Sequence, residues 1–230
     1  MKIGSASPSS VRWGDLRLRV ISAAVLAPLA LGCIWLGGWV GLLALAVLWA
    51  VLAGEWLRMW RHRPGAGAMA AGLGYLVVPA LALIWLRADP VAGRGNLFLV
   101  VFVVWASDIG AYLFGRVLGG PKLAPAISPG KTWSGALGGL LCAAGVGIAA
   151  VALFGGRAWH AAGVGLVLGV VSELGDLLES AIKRHFGVKD AGGLIPGHGG
   201  LFDRLDGLLA AAPAAALLAW AVGRGVELWR

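Results

Sequence analysis

Glu173, Asp176, Ser180 and Lys183 follow one another at spacings of three and four residues, so on a helix they form one polar stripe, with Glu179 at its flank. The surrounding sequence is apolar, where an ionisable group costs about 2.5–3.5 kcal/mol on insertion scales and marks a functional candidate by default. Three acids so close together repel one another unless a cation lies between them, which is the physical case for a metal. A Glu179–Lys183 ion pair at i, i+4 is the plainer reading of the same stripe.

A second concentration runs Pro196-Gly197-His198-Gly199-Gly200-Leu201-Phe202-Asp203-Arg204-Leu205-Asp206-Gly207. Its glycines let backbone N–H groups approach a ligand closely, and such a turn before a helix makes an anion site. Asp203 and Asp206 open the final helix at i, i+3, where acids favour the helix dipole. The same placement suits a divalent ion held against phosphate oxygens. Mg²⁺ commonly takes one or two carboxylates plus substrate phosphates. Asp176 and Asp203 supply such a pair, with Asp206 as a further candidate ligand.

Two weaker elements complete the set. Asp108, in VFVVWASDIGAYLFGR, aligns with Tyr112 at helical spacing; it is a substrate-site candidate or an acid paired with a Lys to remain buried. Ser128-Pro-Gly-Lys131-Thr132 offers a cation and two hydroxyls to a phosphate. It is not a Walker loop, because Pro125 stands where the first Gly is needed. Lys131 as a plain topology charge is the alternative. Of the 4 histidines only His198 has a constrained setting. No His/Cys cluster has zinc spacing, and no G-x-S-x-G elbow occurs.

The elements that must position these residues are membrane spans. Of 230 residues 59% are hydrophobic and 13% charged, against about 25% charged in soluble domains. Seven runs approach the roughly 20 apolar residues that a bilayer core requires: Val20–Leu36, Val40–Trp56, Ala68–Leu86, Leu97–Leu118, Gly135–Phe154, Ala161–Ile182 and Leu208–Val222. The expected fold is therefore all-α, a polytopic transmembrane helix bundle of about seven spans in one membrane domain, 1–230. Residues 1–100 supply N-terminal spans, and residues 101–230 supply the catalytic spans and cytosolic loops. Gly37, Gly38 and Trp39 suit a tight hairpin between the first two spans. The basic N-terminal segment followed by an apolar run resembles a signal peptide, but the run is too long, so an uncleaved first span is expected.

Among the 12 tryptophans, Trp13, Trp35, Trp39, Trp56, Trp60, Trp85, Trp159 and Trp229 lie at expected span ends and read as an interfacial belt. Cys33 and Cys142 read as small buried filler. With the N-terminus in the cytosol, alternation through seven spans puts the large majority of the 19 Lys and Arg on the cytosolic side. Both polar loops, Arg116–Trp133 and Lys183–Asp206, then face the cytosol, where nucleotides are found. The net charge of +8 is scattered in short clusters, which fits topology signals and anionic lipid or nucleotide partners rather than nucleic acid.

The segment Ser180-Ala-Ile-Lys183-Arg184-His-Phe-Gly-Val-Lys189-Asp190-Ala-Gly-Gly-Leu-Ile-Pro196-Gly-His198-Gly199-Gly200-Leu-Phe-Asp203-Arg204-Leu-Asp206 resembles the signature of the bacterial phosphatidate cytidylyltransferase (CDP-diacylglycerol synthase) family. The blocks Asp108-Ile-Gly-Ala-Tyr112, Gly115-Arg116, Ser128-Pro-Gly-Lys131-Thr132 and Gly175-Asp176-Leu-Leu-Glu179-Ser180 resemble it too. The resemblance covers roughly Trp105 to Gly207. The chain is short for that family before residue 100, and Ser134 stands where many relatives carry an acid or amide, so Ser134 is given no role.

The resemblance implies a multi-pass bacterial inner-membrane enzyme, with its N-terminus and active site cytosolic. It implies a Mg²⁺-dependent nucleotidyltransferase that moves CMP from CTP to phosphatidate for phospholipid biosynthesis. Asp176, Asp203 and Asp206 are then metal ligands, with room for a second cation. Asp176, Lys183, Arg184 and Asp203 are catalytic. Ser128, Lys131, Thr132, Lys189, His198, Gly199, Gly200, Arg204, Asp108 and Tyr112 contact substrate. CTP, phosphatidate in the bilayer and membrane lipids are the expected partners, and a homodimer is compatible with the reading. The competing readings are a CTP-dependent lipid-alcohol kinase, distinguished by releasing CDP instead of pyrophosphate, and a transporter or channel, which the missing two-fold repeat disfavours.

Overall fold

A computed structural model of the chain describes residues 13–193 and 199–230, with the backbone alone for 13–20. His198, Lys2 and Arg12 lie outside the described residues, as do the side chains of Trp13, Arg17 and Arg19. Apolar runs this long, with their N–H and C=O groups satisfied internally, form helices in lipid. Among the described residues seven result: α1 (Trp13–Leu36), α2 (Gly38–His62), α3 (Ala66–Arg87), α4 (Gly93–Leu118), α5 (Trp133–Phe154), α6 (Ala158–His185) and α7 (Phe202–Val222). The last six are long and apolar enough to cross a membrane; the described apolar part of α1, Ile21–Leu36, is shorter. Each expected span lies on one of these helices.

The expected hairpin between the first two spans is present, with Gly37 at φ 60° separating α1 from α2. A small sheet was not expected. Strands β1 (Lys122–Ala124) and β2 (Ser128–Thr132) pair antiparallel, with Lys122 opposite Thr132 and Ala124 opposite Ser128. Lys131 therefore projects from a hairpin rather than from an irregular loop.

Close backbone approach binds α5 to α6. A Cβ added at Gly147 of α5 would lie 2.1 Å from the Ala161 carbonyl oxygen of α6, and one at Gly165 of α6 would lie 2.4 Å from that of Ala143. Small residues at helix–helix contacts are what packing in lipid rewards. Gly147→Val should cost about 1–3 kcal/mol by overpacking, read as a lower unfolding temperature in detergent.

Core packing corrects part of the tryptophan assignment. Trp35, Trp39 and Trp159 are 59%, 76% and 73% exposed, as a belt requires, but Trp56 and Trp229 are only 5% and 6% exposed. Trp56 joins an aromatic cluster with Tyr75, Phe186 and Phe202, at ring separations of 6.5, 5.6 and 6.0 Å. Trp229 packs beside Phe154. Each sits at a span end in sequence, yet a neighbouring helix covers it. Cys33 and Cys142 are free and partly buried.

The loop between α3 and α4 is tied down by Asp89, which accepts the backbone N–H of Val91 and Ala92 at 2.9 Å each and of Gly225 at 2.6 Å. These bonds, that from Ala92 foremost and then that from Gly225, hold its carboxyl below the usual carboxylate range. The stabilisation is complete above the unfolded value of about 3.9 and is lost as pH falls through the lower folded value. Asp89→Asn should therefore be less stable than the parent at neutral pH, and the difference should shrink below about pH 4. Hydrogen exchange at the Gly225 amide reads this locally.

Candidate active site

The polar stripe lies on α6, as its spacing requires, and α7 brings its first turn against it. Ligand oxygens of Asp176, Glu179 and Asp206 all fall within 4.8 Å of one another. Glu179 is 1% exposed, and its Oε1 has no hydrogen-bond partner among the described residues. The Asp206 Oδ1 accepts the N–H of Gly207 at 2.7 Å, and Ser180 donates to Asp176 at 3.5 Å. Three carboxylates in an apolar bundle, one with a buried oxygen unpartnered, fit a divalent cation through their oxygen donors.

Lys131 reaches across from β2 to pair with Asp176 at 2.6 Å and donates to the Glu173 carbonyl oxygen at 3.4 Å. Asp108, on α4, is exposed on the protein's own surface and lies in electrostatic reach of Asp176, Lys131 and Arg204. From α3, the Tyr75 hydroxyl is buried without a hydrogen-bond partner among the described residues and faces the charges of Asp206, Glu179 and Asp176. Sequence spacing gave no signal for Tyr75, because it lies in an ordinary apolar span.

Asp203 sits beside Glu179, and the two carboxylates share Lys183. Its Oδ1 accepts from Lys183 at 2.7 Å, and its carboxylate also takes the backbone N–H of Ala191 at 3.2 Å and of Gly200 at 3.0 Å. Lys183 pairs with Glu179 as well, at 2.9 Å. Of the expected pair, Asp176 lies in a cluster with Glu179 and Asp206, while Asp203 is joined to Glu179 through Lys183. Helical spacing put Glu179 beside the stripe, but only the approach of α7 turns it inward.

The remaining candidates divide. Thr132 is buried and caps α5, accepting the Gly135 N–H at 3.1 Å. Ser134 donates to the Gly119 carbonyl oxygen. Tyr112 is 60% exposed and its hydroxyl accepts from Arg116 at 2.6 Å. Ser128 is half-buried on the hairpin, Arg184 and Lys189 are exposed around the end of α6, and Arg204 is exposed on α7. Gly199 and Gly200 line the approach to Asp203, where Cβ atoms would lie 3.3 and 3.0 Å from its Oδ2.

Glu55, on α2, was not anticipated. It is 2% exposed, and its two oxygens accept the N–H of Leu201 at 3.1 Å and of Phe202 at 2.8 Å. A buried acid inside a span was a signal available in the sequence, since such groups are functional candidates.

Fold and site together define a polytopic membrane helix bundle with a carboxylate cluster, ringed by cations, where α6 and α7 meet. The chain matches the model of the Cytidylyltransferase family over residues 63–222 and belongs to that family. It is 48% identical over 157 residues to a protein of Brucella suis biovar 1 (strain 1330) named phosphatidate cytidylyltransferase, a match covering 68% of this chain and 58% of that relative. It is also 48% identical over 123 residues to a protein of the same name from Staphylococcus aureus (strain COL), covering 53% of this chain and 47% of that relative. The chain thus spans roughly half the length of the curated relatives it matches.

Proposed function

We propose that the chain transfers CMP from CTP to phosphatidate in the bilayer, giving CDP-diacylglycerol and pyrophosphate, with Mg²⁺ as cofactor. The observation that carries this is the cluster of Asp176, Glu179 and Asp206 beside Lys131 in a member of the Cytidylyltransferase family. The name shared by its relatives supplies the lipid acceptor.

An oxygen of the phosphatidate phosphate attacks the α-phosphorus of CTP, and the bond to the β-phosphate breaks, releasing pyrophosphate. The acceptor is already an anion, so the demand on the protein is to bring two polyanions together. Asp176, Glu179 and Asp206 would hold Mg²⁺, which supplies charge neutralisation of the triphosphate and of the leaving pyrophosphate. Lys131, already drawn to the carboxylates, is placed to transfer its ammonium to an incoming phosphate. Arg204, Arg184 and Lys189 are exposed cations around the same end of the bundle, and the arginine fork suits bidentate phosphate recognition. Ser128 and the backbone at Gly199 add hydrogen-bond donors, while the Gly200 N–H holds Asp203 and its missing side chain leaves room for close approach. Asp108 faces Lys131 and Arg204 and orients them or accepts a second cation. Lys183 acts through Glu179 and Asp203, and Asp203 acts as an anchor of the loop.

The reading places the protein in the bacterial inner membrane with this end of the bundle at the cytosolic face, where CTP arrives in water while the acyl chains stay in lipid. The positive charge bias supports that orientation. Purified protein given CTP, Mg²⁺ and phosphatidate should release pyrophosphate and form CDP-diacylglycerol. Release of CDP instead, or full turnover in excess chelator, would overturn the proposal.

A further inference from the structure

Glu55 lies outside the segment that matches the family, residues 63–222, yet it touches the helix that carries Asp203 and Asp206. Its carboxylate is 2% exposed, and no ion pair with a Lys or Arg is present among the described residues. A buried carboxylate without a cation is costly unless fixed donors replace its water. Here the donors are the N–H groups of Leu201 and Phe202, at 3.1 and 2.8 Å, where α7 begins. The first N–H groups of a helix have no partner within it and carry the positive end of its dipole, so an ionised acid is the acceptor that suits them.

The loop on the other side is built to admit this carboxylate. A Cβ at Gly192 would lie 2.5 Å from the Glu55 Oε1, and one at Gly200 would lie 3.0 Å from it. The adjacent residue, Trp56, packs on Phe202 at 6.0 Å between ring centres. One turn of α2 thus grips the start of α7 by charge and by stacking. Asp206 lies one helical turn further along.

We propose that Glu55 is a positioning residue: by capping α7 from α2, it sets the height and rotation of the first turn of α7 and so places Asp206 against Asp176 and Glu179. Gln keeps the shape but has one acceptor oxygen, so one of the two N–H groups faces an NH₂ group and loses its bond. Asp is one methylene short of reaching both.

The inference rests on the metal reading of the trio, and the test separates the two. Mn²⁺ alone is titrated by electron paramagnetic resonance into detergent-purified parent, Glu55→Gln and Gly147→Ala, the last being a destabilised control remote from the trio. Cytidylyl transfer is measured on the same samples. Glu55→Gln should weaken Mn²⁺ binding and lower kcat about tenfold each, with KM for phosphatidate within twofold, while Gly147→Ala keeps both. Binding and kcat within twofold of the parent, or an equal loss in the control, would overturn it. Should Glu55→Gln fail to purify, Gly192→Ala crowds the same carboxylate, and unchanged Mn²⁺ binding there overturns the proposal equally. A parent that binds Mn²⁺ but transfers no CMP defeats the proposed reaction and leaves Glu55 to be judged on binding. A parent that binds no Mn²⁺ defeats the metal reading and this inference together.

Discussion

Asp206→Asn should lower cytidylyl transfer by about a hundredfold or more while leaving the unfolding temperature unchanged or raised. The two effects have one cause. Asp206 shares a 4.8 Å neighbourhood with Asp176 and Glu179, and its charge also opposes that of Asp108. Removing one of several like charges relieves repulsion in the empty site and removes a ligand from the loaded one. Asn retains the oxygen that accepts the Gly207 N–H at 2.7 Å, so the start of α7 keeps its local bond. Asp203→Asn should behave differently. Its oxygens serve Lys183, Ala191 and Gly200, and an amide satisfies fewer of these donors, costing about 1–3 kcal/mol of stability. Rate and thermal unfolding measured on both variants decide the matter. Parallel losses of activity and stability in Asp206→Asn would remove it from the metal site.

Lys183→Met should destabilise the fold by about 3–5 kcal/mol, the range for removing one partner from a buried ion pair. Lys183 holds Glu179 at 2.9 Å and Asp203 at 2.7 Å, with side chains 1% and 9% exposed. Without the ammonium, two buried carboxylates lose their only ion-pair partner among the described residues. Adding Glu179→Gln to Lys183→Met should recover part of the loss, because it removes one of the stranded charges; the double-mutant cycle isolates that coupling. A cost below about 1 kcal/mol for Lys183→Met would show that this bridge contributes no more than an exposed pair.

Much of this was legible from spacing. Apolar run length located the helices, because the bilayer sets that length for any sequence. The three- and four-residue steps from Glu173 to Lys183 placed the stripe on one face of α6, and Asp203 with Asp206 marked the start of α7. Periodicity within a helix says nothing about which face of another helix it meets. That is why the contacts of Lys183 with Glu179 and Asp203, on two different helices, could not both be read from spacing. It is also why Glu179 was left at the flank, and why Trp56 and Trp229 were read as interfacial. Tyr75 belongs to a span whose sequence offers only hydrophobicity around it, the signal that Glu55 offered was not used, and a division of the chain at residue 100 separates both from the site they face.

The bond between α2 and α7 has a consequence for how the protein is made. Glu55 precedes its donors by 146 and 147 residues. Chains emerge N-terminus first, at about 5–20 residues per second. The acid therefore waits many seconds after the second span is synthesised before the seventh arrives to receive it. During that interval α2 carries an uncapped acid that favours the aqueous edge of the bilayer over its centre. The arrival of α7 thus completes both the cap and the carboxylate cluster, so a chain halted before α7 carries Asp176 and Glu179 without the third member of their set.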